Sequence, residues 1–393
     1  MRIADVSWRL ISSHRFLLVR IVTDDGVVGY GEGSGLTGAV QWLERFKPIL
    51  TGEDPFDIQR LATQLLWGKQ EGEFITYGDE LADPVAAWLI RYGAAGASLD
   101  HAATRAVAAI EMALVDVVGK ALGTPAYNLL GGKFRSRVPV YLDLAGVKDM
   151  STKSWRAYGT WARTLGFKAV KCDVDMLAPE LHRDPWDRSI SRPELRKTVE
   201  LLSALRDGLG SDIELAADCH GQYNVPDAER LARALEPVGL LWLEDPIPDF
   251  NPAALASIRA ATSTPIATGE LFQTLLEHRE YIDARAVDVL HPDTRMVGGP
   301  LEHKRVADYA DAHFIPTAAH NGASPFGTIA SAHVCAASRS FLYLEFHWYG
   351  VEWINDLVAG GMPLVDGCIE LSGAPGYGTT INEAAWDARS GKS

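Results

Sequence analysis

Short apolar runs separated by stretches of helix length recur through the second part of the chain. A strand, a loop, a helix and a return together take roughly 30 residues, so this rhythm predicts successive βα units. Eight such runs predict an α/β fold, a barrel of parallel strands surrounded by helices. The runs are Val138–Leu142, Ala169–Cys172, Ile213–Ala217, Leu240–Leu243, Pro265–Thr268, Val287–Leu290, Phe314–Thr317 and Phe341–Leu344.

The first part of the chain has a different pattern. Alternating residues in Arg15–Val22 and Val27–Gly31 predict an antiparallel hairpin that turns at Asp25-Gly26. The glycines of Gly31–Gly38 predict a mobile loop. Because helical patterns follow the hairpin, this part is expected to be an α+β domain. The helical patterns cover Gln41–Leu50, Asp57–Leu66 and Leu99–Leu122.

These patterns divide the chain into three parts. Residues 1–125 form the α+β domain, residues 126–355 form the barrel, and residues 356–393 are a Gly- and Pro-rich segment expected to pack back on the first domain. The gap between the second and third apolar runs carries a polar insertion, Met176–Pro193. A long loop at the mouth of a barrel is more often functional than not.

Composition narrows the classes of function. The 393 residues carry 37 basic and 51 acidic side chains, a formal charge of −14, which disfavours a nucleic-acid binder because such a protein needs a basic face. No apolar run of about 18 residues predicts a membrane span, and the first residues do not resemble a signal peptide. The four cysteines form no CxxC pair, which is typical of reduced thiols in a cytoplasmic protein.

Three carboxylates follow successive apolar runs at an even spacing. Asp218, Glu244 and Glu270 are twenty-six residues apart in each step. Because the C-terminal ends of barrel strands converge on one mouth, we expect these side chains to meet there. Converging carboxylates repel one another, and a hard divalent cation relieves that repulsion. Mg²⁺ fits a set of oxygen ligands best.

Other titratable residues stand at the ends of these runs, among them His220, two residues after Asp218. They are Lys171, Asp173, His220, Asp293, His320 and Glu345. This set suits abstraction of a proton next to a carboxylate, where a divalent metal stabilises the enediolate and a histidine acts as base. We expect His320 to be the base and Asp293 to fix its tautomer. His220 or Lys171 can protonate a leaving hydroxyl, and Glu345 can bond a substrate oxygen.

Structural alternatives exist for several of these residues. A single acid after a strand is often a helix N-cap, so Asp218 or Asp293 alone would be ambiguous. Glu is a poor N-cap, and three acids in step at consecutive strand ends fit capping badly. Lys171 can instead form a structural ion pair. Four further histidines are expected to be structural or peripheral: His291, His313, His333 and His347.

The ordered motifs resemble the enolase superfamily, within it the mandelate racemase-like branch. They are DDGVVGYGEGSG, LLGGKFRSRVPVY, AADCHGQY, WLEDPIP, PIATGE, HPDTRMVGG and AAHNGASPFG, which span most of the chain. The resemblance implies a modified TIM barrel, (β/α)7β, closed by an α+β capping domain. It implies Mg²⁺ on Asp218, Glu244 and Glu270, and a general base formed by His320 with Asp293. A homo-oligomer is also what the resemblance implies.

One departure from the racemase pattern concerns the reaction. Racemases of this branch carry Lys-x-Lys on the second strand, whereas this chain has Lys171-Cys172-Asp173 and lacks the second base. The Asp218-x-His220 spacing resembles the acid-sugar dehydratases of the branch, in which the histidine is the general acid. The resemblance therefore implies loss of water from a sugar acid to give a 2-keto-3-deoxy acid.

Specificity is expected to come from loops. Candidates in the first domain are His14, Arg15 and Tyr77, with Asp173 at the mouth, and the insertion can deliver Arg183, Trp186 or Arg188. Three rival functions remain open. The same enediolate also serves epimerases and cycloisomerases, with Lys171 as a second base. A metal-free glycosidase with paired carboxylates and a non-catalytic scaffold fit the acids less well.

Overall fold

The computed structural model describes residues 1–35, 38–67, 100–175, 177, 181, 186–347 and 350–390. This part of the chain contains a three-stranded antiparallel sheet and, separately, a larger sheet whose parallel strands close on themselves. Among the same residues, no helix has the length and apolar character needed to cross a membrane.

The first domain is a small sheet packed on helices. Its strands are β1 (Ile3–Ile11), β2 (Phe16–Thr23) and β3 (Val28–Ser34), and its helices are α1 (Ala39–Leu50), α2 (Ile58–Trp67) and α3 (His101–Ala121). The predicted hairpin is β2 with β3, and the prediction missed β1, which pairs with β2. Helix α3 is buried over most of its length and begins at Asp100, whose carboxylate accepts hydrogen bonds from two backbone amides of its first turn.

Strand β3 lies unusually close to α3. Gly29, Gly31 and Gly33 alternate along the strand and all face the helix, where a Cβ atom would come within 2.5 Å of a backbone oxygen of α3. The glycines of this stretch up to Ser34 therefore serve close packing, and the predicted mobile loop is wrong for them. Because side chains alternate across a strand, Glu32 points to the opposite face, towards the barrel.

The second domain is a closed barrel of eight parallel strands within the described residues. A short helix, α4 (Ala126–Leu129), precedes it. The strands are β4 (Arg137–Leu144), β5 (Ala169–Asp173), β6 (Glu214–Asp218), β7 (Leu243–Glu244), β8 (Ile266–Thr268), β9 (Val289–Leu290), β10 (Thr317–Ala319) and β11 (Phe341–Phe346). The helices between them are α5 (Thr152–Arg163), α6 (Arg192–Leu209), α7 (Val225–Leu235), α8 (Pro252–Ala260), α9 (Thr274–Asp283), α10 (Pro300–Ala312) and α11 (Pro325–Ala337).

Strand β11 pairs with β4 and closes the barrel, so the order is seven βα units and a final strand. The predicted (β/α)7β barrel with an α+β domain is therefore confirmed. The predicted runs fall on the strands with shifts of a few residues. The largest shift is in the seventh, where Phe314 is 92% exposed and the strand begins only at Thr317.

The barrel interior is filled mainly by small side chains around two aromatic rings. Tyr141 and Trp242 meet edge to face at 5.5 Å, and alanines from four other strands complete the layer. Cys172 and Cys219 lie in the other apolar layer, between the strands and their helices. Lys171 and Asp218, one residue before each, consequently point into the barrel mouth.

The C-terminal segment divides between the two domains. Val358, Tyr377 and Trp386 lie in the core of the first domain, with α13 (Glu383–Arg389) following α12 (Glu352–Asn355) along the chain. Strands β12 (Leu364–Val365) and β13 (Cys368–Glu370) instead extend the barrel sheet, because β13 pairs antiparallel with β4. The expectation that the whole segment packs on the first domain is thus wrong for residues 364–370.

The close contact of β3 with α3 generates a stability prediction. Gly31→Ala places a Cβ 2.0 Å from the carbonyl oxygen of Ala109, so strand or helix must move. We expect the free energy of unfolding to fall by about 1–3 kcal/mol, as measured by urea denaturation. Gly373→Ala is the matched control, because an added Cβ there contacts nothing within 4 Å. Equal stability of the two variants would contradict the packing described.

Candidate active site

The three evenly spaced carboxylates lie together at the mouth of the barrel. Asp218 and Glu244 are partners in the parallel pairing of β6 with β7, and Glu270 follows the end of β8. One oxygen of each carboxylate lies within 4.8 Å of those of the other two. Asp218 and Glu244 are fully buried, and Glu270 is partly exposed. The strand ends therefore hold three negative charges within a few ångströms.

The Lys171 ammonium compensates part of this charge. Its Nζ lies 2.9 Å from Asp218 Oδ2, 3.2 Å from Glu244 Oε1 and 2.8 Å from Glu345 Oε1, and the residue is 2% exposed. Burial lowers the pKa of Lys171, but the three carboxylates together raise it well above its ordinary value. Lys171 is consequently held in its protonated form.

Glu244 has two further partners. Trp242 Nε1 donates to its Oε2 at 3.0 Å, and His291 Nδ1 lies 3.0 Å from its Oε1. Burial alone raises the pKa of Glu244, but His291 and Lys171 lower it below its ordinary value. For Asp218, burial and the charge of Glu244 raise the pKa to about 6. A cation bound to both carboxylates would stabilise both in the anionic form.

The donor set suits a hard divalent cation. All three groups are carboxylates, they converge from adjacent strands, and the buried Lys171 ammonium contacts two of them, Asp218 and Glu244. Mg²⁺ is typically bound by a few carboxylates together with water or substrate oxygens. Asp218, Glu244 and Glu270 would hold such an ion.

His320 and Asp293 form a hydrogen-bonded pair beside these carboxylates. His320 Nδ1 lies 2.7 Å from Asp293 Oδ2, and its Nε2 faces Glu270 at 3.3 Å and Glu345 at 3.5 Å. Burial lowers the pKa of His320, but Glu270, Glu345 and Asp293 raise it to about 10. The Asp293 contact fixes the tautomer in which Nε2 is the basic atom of the neutral ring.

Asp293 is itself held by Arg295. The backbone N–H of Arg295 donates to Asp293 Oδ1 at 2.7 Å, and its Nη2 lies 3.1 Å from Oδ2. Burial alone raises the pKa of Asp293, but Arg295 and His320 hold it well below its ordinary value. Asp293 is therefore an ionised orienting group, and the sequence analysis did not anticipate Arg295.

Glu345 contacts both Lys171 on β5 and the segment that follows β10. Its Oε2 accepts a hydrogen bond from the backbone N–H of Asn321 at 2.9 Å, and its Oε1 meets Lys171. His347 Nε2 lies 3.4 Å from the same Oε1, and its Nδ1 lies 3.0 Å from Asp143 Oδ2. His291 and His347, expected to be structural or peripheral, both contact carboxylates of the mouth, and a structural role in holding these groups stays a prediction.

His220 lies on the opposite side of the triad from His320. Its Nε2 is 3.7 Å from Asp218 Oδ2 and its Nδ1 is 3.1 Å from Asp175. The hydrogen bond to Asp175 is the largest contribution that raises the pKa of His220, to about 10. Asp173 belongs to the same cluster, and burial together with Asp143 raises its pKa to about 7. A protonated His220 here can donate a proton.

The insertion reaches this side of the mouth through Arg188. Its guanidinium donates to the carbonyl of Gly221, and its own carbonyl accepts from Asn224 at 2.9 Å. Arg188 therefore anchors the loop that carries His220. Trp186 is 89% exposed, and Arg183 lies outside the described residues.

The structure describes only some of the specificity residues that were predicted in the first domain. His14 packs its ring against Trp353 at 4.8 Å and Phe16 at 5.5 Å. Arg15 is exposed and adopts a left-handed backbone conformation. Tyr77 lies outside the described residues.

Comparison with known proteins agrees with this architecture. Residues 156–385 match the family described as enolase C-terminal domain-like, and residues 3–131 match the N-terminal domain of mandelate racemase and muconate lactonizing enzyme. The chain belongs to the enolase superfamily. Within it, the first domain is of the mandelate racemase and muconate lactonizing enzyme type.

Several relatives of this family are similar over nearly the whole chain. The D-xylonate dehydratase of Haloferax volcanii is 36% identical, covering 98% of this chain and 88% of that protein. The D-gluconate dehydratase of Thermoproteus tenax is 30% identical, covering 96% and 70%. A mandelate racemase/muconate lactonizing enzyme-like protein from Rubrobacter xylanophilus has a solved structure with 37% identity and a TM-score of 0.87, covering 100% and 98%.

The contacts of Lys171 generate a prediction about stability and cations. Lys171→Met leaves Asp218, Glu244 and Glu345 buried without their shared cation, so without divalent metal we expect the free energy of unfolding to fall by about 3–5 kcal/mol. Mg²⁺ should recover most of that loss, and should stabilise this variant more than the wild type. Thermal unfolding in EDTA and in Mg²⁺ measures both effects.

The matched control is Lys120→Met in the first domain. Lys120 lies 2.6 Å from the buried carboxylate of Asp116, far along the chain from the mouth residues. This variant should also lose stability, but Mg²⁺ should not recover it. If Mg²⁺ stabilises Lys171→Met no more than the wild type, Lys171 and the metal do not act on the same carboxylates.

Proposed function

We propose that this enzyme is a Mg²⁺-dependent acid-sugar dehydratase that acts on a small aldonic acid. The observation that carries the proposal is the juxtaposition of His320 with the carboxylate triad, since His320 Nε2 lies 3.3 Å from Glu270. A base beside a site for a divalent cation suits abstraction of a proton next to a substrate carboxylate. The names of the two dehydratase relatives support the class of substrate.

His320 takes the proton from C2 of the substrate, while Asp293 and Arg295 hold the imidazole in position. When bound, Mg²⁺ would stabilise the enediolate and, by offsetting the charge of Glu270, would lower the pKa of His320 towards that of a base at neutral pH. The electron pair then forms the C2–C3 double bond. The bond from C3 to its hydroxyl oxygen breaks as His220 donates a proton, and water leaves. The enol tautomerises to the 2-keto-3-deoxy acid.

The surroundings of His220 and Lys171 favour His220 as the proton donor and disfavour Lys171 as a second base. His220 is paired with Asp175 and partly exposed, so it can exchange its proton with solvent between turnovers. Lys171 Nζ contacts three buried carboxylates, which hold its ammonium in place and suit it to positioning a substrate. That disfavours the rival epimerase, in which Lys171 would act opposite His320. Lys171 and Glu345 would instead position the substrate carboxylate.

A substrate screen tests the proposed function directly. We expect one or a few aldonic acids, D-xylonate and D-gluconate among those tried, to give a 2-keto-3-deoxy product that semicarbazide detects in the presence of Mg²⁺. EDTA should abolish the product, and added Mg²⁺ should restore it. Product formation that persists in EDTA would contradict the proposed metal dependence. Exchange of the C2 proton without product would favour an epimerase or cycloisomerase.

Replacing His220 separates loss of water from proton abstraction. His220→Asn should lower the rate of dehydration about 100-fold or more, the usual contribution of a general acid. Exchange of the C2 proton in D₂O, followed by NMR, should remain within a few-fold of the wild type because His320 is unchanged.

His313→Asn is the control, because His313 lies at the end of α10, 4.0 Å from Asp283. It should retain both dehydration and exchange. Dehydration by His220→Asn at the wild-type rate would remove His220 from the mechanism. Loss of exchange together with dehydration would place His220 in the first step instead.

A further inference from the structure

A buried carboxylate of the first domain reaches into the barrel. Glu32 lies on β3 and is fully buried, yet its carboxylate contacts Ser324, Gly327 and Arg295 of the second domain. The backbone N–H of Ser324 donates to its Oε1 at 2.8 Å. The Ser324 hydroxyl and the backbone N–H of Gly327, at 3.3 Å, donate to its Oε2. These donors come from the first turn of α11, the helix that follows the loop of His320.

The same carboxylate approaches the partner of the base. Arg295 Nη1 lies 3.8 Å from Glu32 Oε1, and Arg295 Nη2 lies 3.1 Å from Asp293 Oδ2. Asp293 Oδ2 in turn lies 2.7 Å from His320 Nδ1. A continuous row of ionisable groups therefore runs from the first domain to the imidazole, and Glu32, Asp293 and Arg295 are each 5% exposed or less.

Glu32 also acts on the other end of the loop. Asn321 and Ser324 are three residues apart, and Asn321 holds Glu345 through its backbone N–H. Holding Ser324 thus restricts the segment that carries both His320 and the Glu345 contact. The close approach at Gly327 leaves little freedom, since a Cβ there would lie 2.9 Å from the Glu32 carboxyl carbon.

We propose that Glu32 is a positioning residue for the general base, by which docking of the capping domain orients the Asp293–His320 pair. The inference rests on the proposed function and extends it. Glu32 touches neither His320 nor the carboxylate triad, so it acts through Arg295 and through the loop of residues 320–324. The base is then correctly oriented only when the first domain is in place.

A second buried carboxylate provides a matched comparison. Glu111, on α3 of the same domain, also crosses to the barrel, where it accepts a hydrogen bond from the backbone N–H of Leu301 at 2.7 Å in the first turn of α10. Its neighbours on the barrel side are Leu301, Glu302 and Arg305, which are not part of the Asp293–His320 pair or its Arg295 contact. Glu32 and Glu111 therefore share burial, domain and type of contact, and differ in the connection to the base.

The experiment compares Glu32→Gln with Glu111→Gln in the full-length enzyme, using a substrate identified by the screen. We expect Glu32→Gln to lower kcat about tenfold or more with KM within about twofold, the size of effect typical of groups that orient a catalytic residue through others. The rate of C2 proton exchange in D₂O should fall in parallel. Glu111→Gln should keep kcat within about twofold of the wild type, even if its melting temperature falls as much as that of Glu32→Gln.

One readout does not depend on substrate. The proton between His320 Nδ1 and Asp293 should give a downfield ¹H NMR resonance, which is absent in His320→Asn. It should shift or broaden in Glu32→Gln and stay in place in Glu111→Gln. A protein that dehydrates no sugar acid would overturn the proposed function alone, because this comparison would still decide the role of Glu32.

Equal kcat in Glu32→Gln and wild type, or an equal loss in both variants, would overturn the inference. If Glu32→Gln does not fold, Ser324→Ala takes its place in the same comparison. This variant removes only the hydroxyl donor to Glu32. That variant should lower kcat several-fold with an unchanged KM and shift the same resonance. An unchanged kcat and resonance in Ser324→Ala would then count against the proposal.

Discussion

Mutual repulsion among buried carboxylates is the constraint on which the mouth of this barrel depends. Asp218, Glu244 and Glu270 converge because they end adjacent parallel strands, and Glu345 lies near them on Lys171. Charges this close in a poorly hydrated site cost several kcal/mol unless opposite charge is placed among them. Lys171 supplies one such charge, and a divalent cation on the triad would supply the rest.

The proposed proton transfers depend on the same balance of charge. The carboxylates raise the pKa of His320 to about 10, a value at which the ring is protonated at neutral pH and cannot accept a proton. Positive charge on the triad would reverse this, so binding of the cation and activation of the base are coupled. His220 benefits from the opposite arrangement, because Asp175 keeps it protonated and ready to donate.

Much of this architecture follows from local patterns in the sequence. The eight recurring apolar runs were sufficient to predict the barrel. The twenty-six-residue spacing of the acids was sufficient to predict that Asp218, Glu244 and Glu270 converge. Alternation along the strands explains why Lys171 and Asp218 both face the mouth. These inferences succeeded because strand periodicity and strand order depend on residues close in sequence.

Contacts between distant segments were not predictable in this way. Nothing near Gly31 or Glu32 indicates that one packs on α3 while the other reaches α11 almost 300 residues later. The positions of His291, His347, Arg295 and Asp175 at the mouth also depend on how loops fold over strand ends. Pairing of β13 with β4 similarly joins segments more than 200 residues apart, and no periodic pattern marks it.

The most direct test of the central claim is the position of the cation. Crystals grown with Mn²⁺ in place of Mg²⁺ would show an anomalous difference peak at each bound ion. We expect one peak with an oxygen of Asp218, Glu244 and Glu270 each at about 2.0–2.3 Å, the range for a small hard divalent cation. A peak instead at the neighbouring cluster of Asp173, Asp175 and His220, or none at the triad, would contradict the account.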